Sequence, residues 1–254
     1  MRQPVEQLLP LEQRDAARAR ALAASPRYRP WLHVGTESLT GISICAAAAW
    51  LARGAGPWHL AFFAGLLLLS NATEWRIHRD VLHARRRGLE VLHDRHTPLH
   101  HVIYVTGDMA MRSARELQLV LIPAYGILLI FLFTLPVTAL LWALGGRPLA
   151  GVFVLETMGY TLLYEWLHLT WHLPSSSRVA RLRVVRWMRR HHELHHHPQL
   201  MQRKNFNVTF PLWDWVRGTL VREPPPTGAP APAPAGPPAS GWPHPAPAPH
   251  RGRR

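Results

Sequence analysis

The stretch LAGVFVLETMGYTLLYEWLHLTWH, from Leu149 to His172, runs almost wholly apolar and then presents His168 and His172 at its end. A helix needs roughly 20 apolar residues to cross the hydrocarbon core of a bilayer, so the segment is long enough to span. Residues i and i+4 share a helix face, so the two histidines point the same way at one rim. Three further apolar runs precede it: Thr36–Leu51, Pro57–Thr73 and Leu117–Leu144. The turn Arg53-Gly54-Ala55-Gly56-Pro57 joins the first two, and Gly145-Gly146-Arg147-Pro148 joins the last two, so each pair reads as a helical hairpin. Pro123 and Pro136 leave open whether 117–144 is one kinked helix or a helix with a re-entrant piece. The expected fold is all-α and integral to the membrane, with about four transmembrane helices in two hairpins and a cytosolic, histidine-rich helical cap.

Composition sets the limits around this core. The chain has 254 residues and a formal net charge of +14. Nearly all of that charge is arginine beside apolar runs, which points to an anionic lipid surface and not to nucleic acid. Eight arginines lie between Arg76 and Arg115, and six, with no acidic residue, between Arg178 and Arg190. The positive-inside rule puts both segments on the cytoplasmic side, which two hairpins satisfy. Cys45 is the only cysteine, so no intramolecular disulfide forms and no thiolate pair holds a metal. Residues 1–30 read as an amphipathic surface segment ending near Pro26, and 31–223 as the membrane domain. The tail 224–254, which holds 12 of the 24 prolines, is expected to be disordered.

Thirteen of the 17 histidines fall in four clusters at the ends of apolar segments. They are His78/His83, then His93/His96/His100/His101, then His168/His172, and last His191/His192/His195/His196/His197. Neutral imidazoles suit iron, zinc, copper or nickel, and neighbouring arginines disfavour the charged ring. In the last cluster His192 converges with His195 or His196, while the adjacent pair splits between two metals. His96 with His100 suits one helix face, with His101 turned toward a second ion. His78 and His83 are five apart, so the helix is expected to widen or unwind between them. His33, His59, His244 and His250 read as structural or incidental.

Soluble di-iron proteins use Glu with Glu-x-x-His, a spacing met by Glu165/His168 and Glu193/His196, with Glu74 and Glu156 as further intramembrane acids. Ten imidazoles already suffice for two ions. Glu165 and Glu193 are therefore expected to orient ligand N–H groups, with His93 and Asp214 also close around the ligands. No general acid or base is legible by spacing.

These boxes resemble those of the fatty acid hydroxylase and sterol desaturase superfamily. His78/His83 look like the first box, His96/His100/His101 like the second, and His192/His195/His196 like the last. Tyr164-Glu-Trp-Leu-His168-Leu-Thr-Trp-His172 is similar to the extra pair of fatty acid 2-hydroxylases, and Asn205 to Thr219 to the segment closing the family's domain. Three residues separate His96 from the His pair, where the 2-hydroxylases have two. The resemblance implies a centre of two iron ions at the cytosolic face, a site that zinc also fits. It also implies dioxygen, a membrane lipid substrate and electrons from a separate electron-transfer protein. The expected activity is lipid hydroxylation, an oxidoreductase reaction. A desaturase with the same centre, or a membrane metal-binding or transport protein, are the alternatives.

Overall fold

The computed structural model describes residues 9–224; residues 1–8 and the Pro/Ala-rich tail from 225 onward, with His244 and His250, lie outside the described residues. Within them the chain is helical and contains no strand, only an isolated bridge between Val105 and Asp108. The main helices are α1 (Leu11–Ala23), α2 (Pro30–Leu51), α3 (Pro57–Ile77), α4 (Glu90–Arg95), α5 (Gly126–Trp171), α6 (Arg183–His195) and α7 (Leu212–Val216). Pro30 and Pro57 open α2 and α3 at the first helical position, where the missing N–H costs nothing.

α5 is two arms joined at Gly146, whose φ of 73° and ψ of −173° leave the helical region. A side chain there would strain the backbone. The expected four-residue turn thus narrows to one non-helical residue. The arms pack together: Ile127 shares a core cluster with Val154 and Met158, and with Ala48 of α2. α2 approaches α5 so closely that a Cβ on Gly151 would sit 2.5 Å from the Ala52 nitrogen.

Among the described residues, α2 and α5 are the helices long and apolar enough to cross a membrane. They are not core helices of a soluble fold, because their large side chains face outward: Leu39 is 68% exposed, Phe133 76% and Leu144 74%. Two apolar helices with such outward faces suggest a membrane protein.

The third apolar run divides differently from either expectation. Helix α5 begins only at Gly126; Leu117–Val120 is a separate short turn, followed by irregular chain through Pro123. Polar side chains pin this strap: Arg95 donates to the Gln118 carbonyl (2.7 Å) and Glu165 accepts the Ile122 N–H (3.0 Å). His33 bonds the Ile122 carbonyl (2.8 Å), a structural role, as is that of His59 on the Gly56 N–H. At the other side of the cap, Trp171 of α5, Val185 and Met188 of α6, and Val208 form one apolar cluster.

Candidate metal centre

Four segments deliver the histidines to one place. His78 and His83 flank a single π-turn at the end of α3, His78–Leu82, closed by the His83 N–H to the His78 carbonyl (3.1 Å). Five-residue spacing cannot share a face on an α-helix, and the wider turn restores it. A second π-turn, His96–His100, follows α4. His168 and His172 close α5, and α6 brings His192, His195 and His196.

Two convergent sets result. One nitrogen each from His78, His83, His96, His101 and His195 lies within 4.8 Å of every other, and the same holds for His100, His168, His172 and His192. His196 sits between them, its ring 4.1 Å from that of His101 and its Nε2 3.1 Å from His192 Nε2. The second box therefore divides otherwise than its spacing implied: the π-turn pairs His96 with His101 and sends His100 to the other set. The adjacent residues His195 and His196 do diverge.

The hydrogen bonds fix the tautomers. Nδ1 of His100, His172, His195 and His196 faces the carbonyls of Leu119 (3.0 Å), Met109 (2.8 Å), Lys204 (2.9 Å) and Tyr104 (2.7 Å). His78 Nδ1 faces the Phe206 carbonyl. His83 Nδ1 faces the Thr97 hydroxyl (3.0 Å), which donates to the Leu82 carbonyl (2.7 Å). In each ring Nδ1 carries the hydrogen, so Nε2 is a bare lone pair. His83 Nε2 and His195 Nε2 then lie 3.0 Å apart as two acceptors. They repel unless a cation stands between them. His78 and His101 each bring Nε2 within 2.9 and 3.0 Å of His96 Nε2, and imidazole nitrogens bound about 2.1 Å from one ion at right angles are about 3 Å apart. Nε2 of His100 and of His168 is buried with no hydrogen-bond partner among the described residues, an arrangement that costs free energy unless a ligand supplies the partner. The donor set fits metal.

Protonation is suppressed as ligation requires. Burial, and then neighbouring imidazoles, hold His78, His96, His101, His172, His192 and His196 well below the ordinary histidine range. Burial brings His100 and His195 down to about 4. Arginines add only a minor push at His100 and His172, so burial, and not flanking charge, keeps the rings neutral.

The carboxylates do not orient ligands. Glu193 takes the Gly107 N–H (3.0 Å) and Arg190 (3.1 Å), Glu165 takes the strap, and His93 turns to Asp94 (2.9 Å). Backbone carbonyls occupy the positions expected of them, because loops 104–119 and 204–208 wrap the rings directly. Asp214 acts one step away: it accepts the N–H groups of Phe206 (2.9 Å) and Asn207 (2.8 Å), fixing the loop whose Phe206 carbonyl holds His78. Glu74 secures the same loop through the Val208 N–H, the Thr209 N–H (3.1 Å) and the Tyr160 hydroxyl (2.5 Å). Glu156 lies apart, against Ser70 (3.1 Å). In the last cluster His191 turns to the Asn207 carbonyl (3.1 Å) and Asp214 (3.3 Å), and His197 accepts the Gln199 N–H. Thr97 and Tyr104 escaped the sequence reading; Thr97's place inside the second box was the one available signal.

Comparison with known proteins is consistent with this site. No curated protein and no solved structure matches the chain. The fatty acid hydroxylase family matches residues 63–219, a span that holds every histidine of both sets. The chain thus belongs to the fatty acid hydroxylase family, of the fatty acid hydroxylase and sterol desaturase superfamily.

Proposed function

We propose that the chain is a lipid hydroxylase that uses two iron ions and dioxygen to convert a C–H bond of a fatty acyl or related lipid to an alcohol. The observation that carries the reading is the pair of buried imidazole sets, with lone pairs facing one another, beside helices whose outer faces are apolar. His78, His83, His96, His101 and His195 would hold one ion, and His100, His168, His172 and His192 the other, with His196 between them. Two bound iron ions supply reduction of dioxygen to an oxidant able to take hydrogen from an unactivated methylene. The balance is one lipid C–H, one dioxygen, two electrons and two protons in, and one alcohol and one water out. The electrons come from a separate electron-transfer protein.

The protein's own groups prepare this chemistry. Carbonyls of Leu119, Met109, Lys204, Tyr104 and Phe206 hold the rings with Nε2 inward. Burial keeps those nitrogens unprotonated and water out. In this reading α2, α3 and the two arms of α5 cross the membrane as two hairpins, the cap lies on the cytoplasmic side, and its arginines meet anionic lipid. A metal carrier would arrange donors along a path through the bilayer, whereas these gather in one closed cluster.

The test is lipid mass spectrometry of cells with and without the chain under ¹⁸O₂, with metal analysis of protein prepared anaerobically. The expected result is one ¹⁸O in a lipid alcohol and close to two iron ions per chain. A lipid that gains a double bond and no label would turn the reading to desaturation. A metal-free, active protein would sink it.

A further inference from the structure

Helix α1 lies outside the span matched by the family, yet it inserts two arginines into the cap. Arg14 and Arg18 are its buried residues, 7% and 5% exposed. Arg14 pairs with Asp108. Arg18 Nε stands 3.4 Å from Glu116 Oε2, Nη2 3.5 Å from the Ile103 carbonyl, and the guanidinium 5.6 Å from the centre of the Tyr104 ring. Asp15 is also in range of Arg18, at 3.5 Å. Glu116 is 1% exposed and accepts the Tyr104 hydroxyl (2.9 Å) and the Arg112 N–H (3.1 Å).

Tyr104 is fully buried and touches the metal cluster twice over. Its ring packs against His172 (4.6 Å between centres) and His100 (5.2 Å), and its carbonyl accepts His196 Nδ1–H at 2.7 Å. A continuous set of contacts therefore runs from Arg18 through Glu116 and Tyr104 to His100 and His172 of one set and to His196 between the two. Without Arg18, Glu116 would be a buried carboxylate lacking its cation, an arrangement that proteins relieve by protonation or movement.

We propose that Arg18 is a positioning residue for the pocket of His100, His168, His172 and His192, acting through Glu116 on Tyr104. The inference rests on the dimetal reading above. Among the described residues the Tyr104 ring packs on His100 and His172 and on no ring of the His78 set, so the larger effect falls on the ion of the His100 set.

The test uses full-length protein loaded with Co²⁺ as probe, followed by release to a chelator and by ligand-field absorption. Wild type should hold two ions. Arg18→Ala should release one of them faster by about tenfold or more, the usual scale for losing a group that orients ligands, and change the absorption of that ion alone. Arg18→Lys, which keeps a cation beside Glu116, should restore most of the difference. Adding His168→Ala to Arg18→Ala should strip the fast-released ion and leave the slow one unchanged, whereas adding His83→Ala should loosen the slow ion and leave the fast-released one as it was. Should Arg18→Ala not fold, Tyr104→Phe, which removes only the hydroxyl, carries the test and should loosen the same ion. Unchanged release, or equal acceleration of both ions, would overturn the proposal. Wild-type protein unable to hold two ions would overturn the dimetal reading, and this inference with it.

Discussion

Exchanging His100 and His101 for alanine, one at a time, separates two accounts of the second histidine box. On a regular helix His96 and His100 would serve one ion. Across the π-turn, His101 Nε2 lies 3.0 Å from His96 Nε2, and His100 belongs with His168, His172 and His192. A four-ligand zinc site is worth about 10–16 kcal/mol, so one ligand carries about 2.5–4 kcal/mol, or about 10²–10³-fold in affinity. His100→Ala strikes a set of four and should fall at the upper end; His101→Ala strikes a set of five and should fall at the lower. Chelator competition on the loaded full-length chain reads each loss. In pairs, His100→Ala with His168→Ala should weaken the same ion further and leave the other untouched. His101→Ala with His168→Ala should weaken both ions. If His100→Ala and His96→Ala stripped the same ion while His101→Ala stripped the other, the π-turn pairing would be refuted.

Acid should destabilise metal-free protein: His100 and His195 titrate near 4 when folded and near 6.5 when unfolded, so below pH 6.5 the unfolded chain binds more protons. The slope is about 1.4 kcal/mol per pH unit for each histidine, lost as pH falls from 6.5 toward 4; a thermal melting point flat across that window would contradict it. Glu74→Gln keeps an oxygen for the Val208 and Thr209 N–H groups but sets an N–H₂ against the Tyr160 and Thr209 hydroxyls that donate to the other oxygen, costing about 1–3 kcal/mol. Metal analysis should show the loss in the His78 pocket first. Gly151→Val drives a side chain into the backbone of Ala48 and Ala52 and should lower stability by about 1–3 kcal/mol or more, seen as a lower melting temperature. Cysteines at Arg85 and Arg186, in a Cys45→Ala background, should react alike with an impermeant thiol reagent from the cytoplasmic side; opposite labelling would divide the cap between two faces.

Much of this was legible in the chain. Apolar runs located the helices α2, α3 and the later arm of α5, though only α2 and α5 have the length and hydropathy of a span, and the five-residue gap between His78 and His83 demanded the widened turn found there. The gap between His96 and His101 is the same, but it hid behind the regular spacing of His96 and His100. Glu193 misled because i,i+3 proximity to His196 says nothing of where a carboxylate finds its donor; the Gly107 N–H was nearer. The strap at 117–125 reads as apolar helix until its carbonyls are counted, and those are claimed by Arg95, His33 and His100. Tyr104 has no local signature at all, since its role depends on contacts with α1 from far earlier in the chain.

The groups that aim five of the clustered histidines are main-chain carbonyls, at Tyr104, Met109, Leu119, Lys204 and Phe206. Every amino acid carries the same carbonyl, so no substitution at those places deletes the acceptor. The vulnerability moves from residue identity to chain length: one residue added or removed between His101 and Leu119, or between His196 and Phe206, would shift the acceptors out of register with the rings. Relatives of this protein should therefore keep the number of residues in these loops even where their exposed side chains vary.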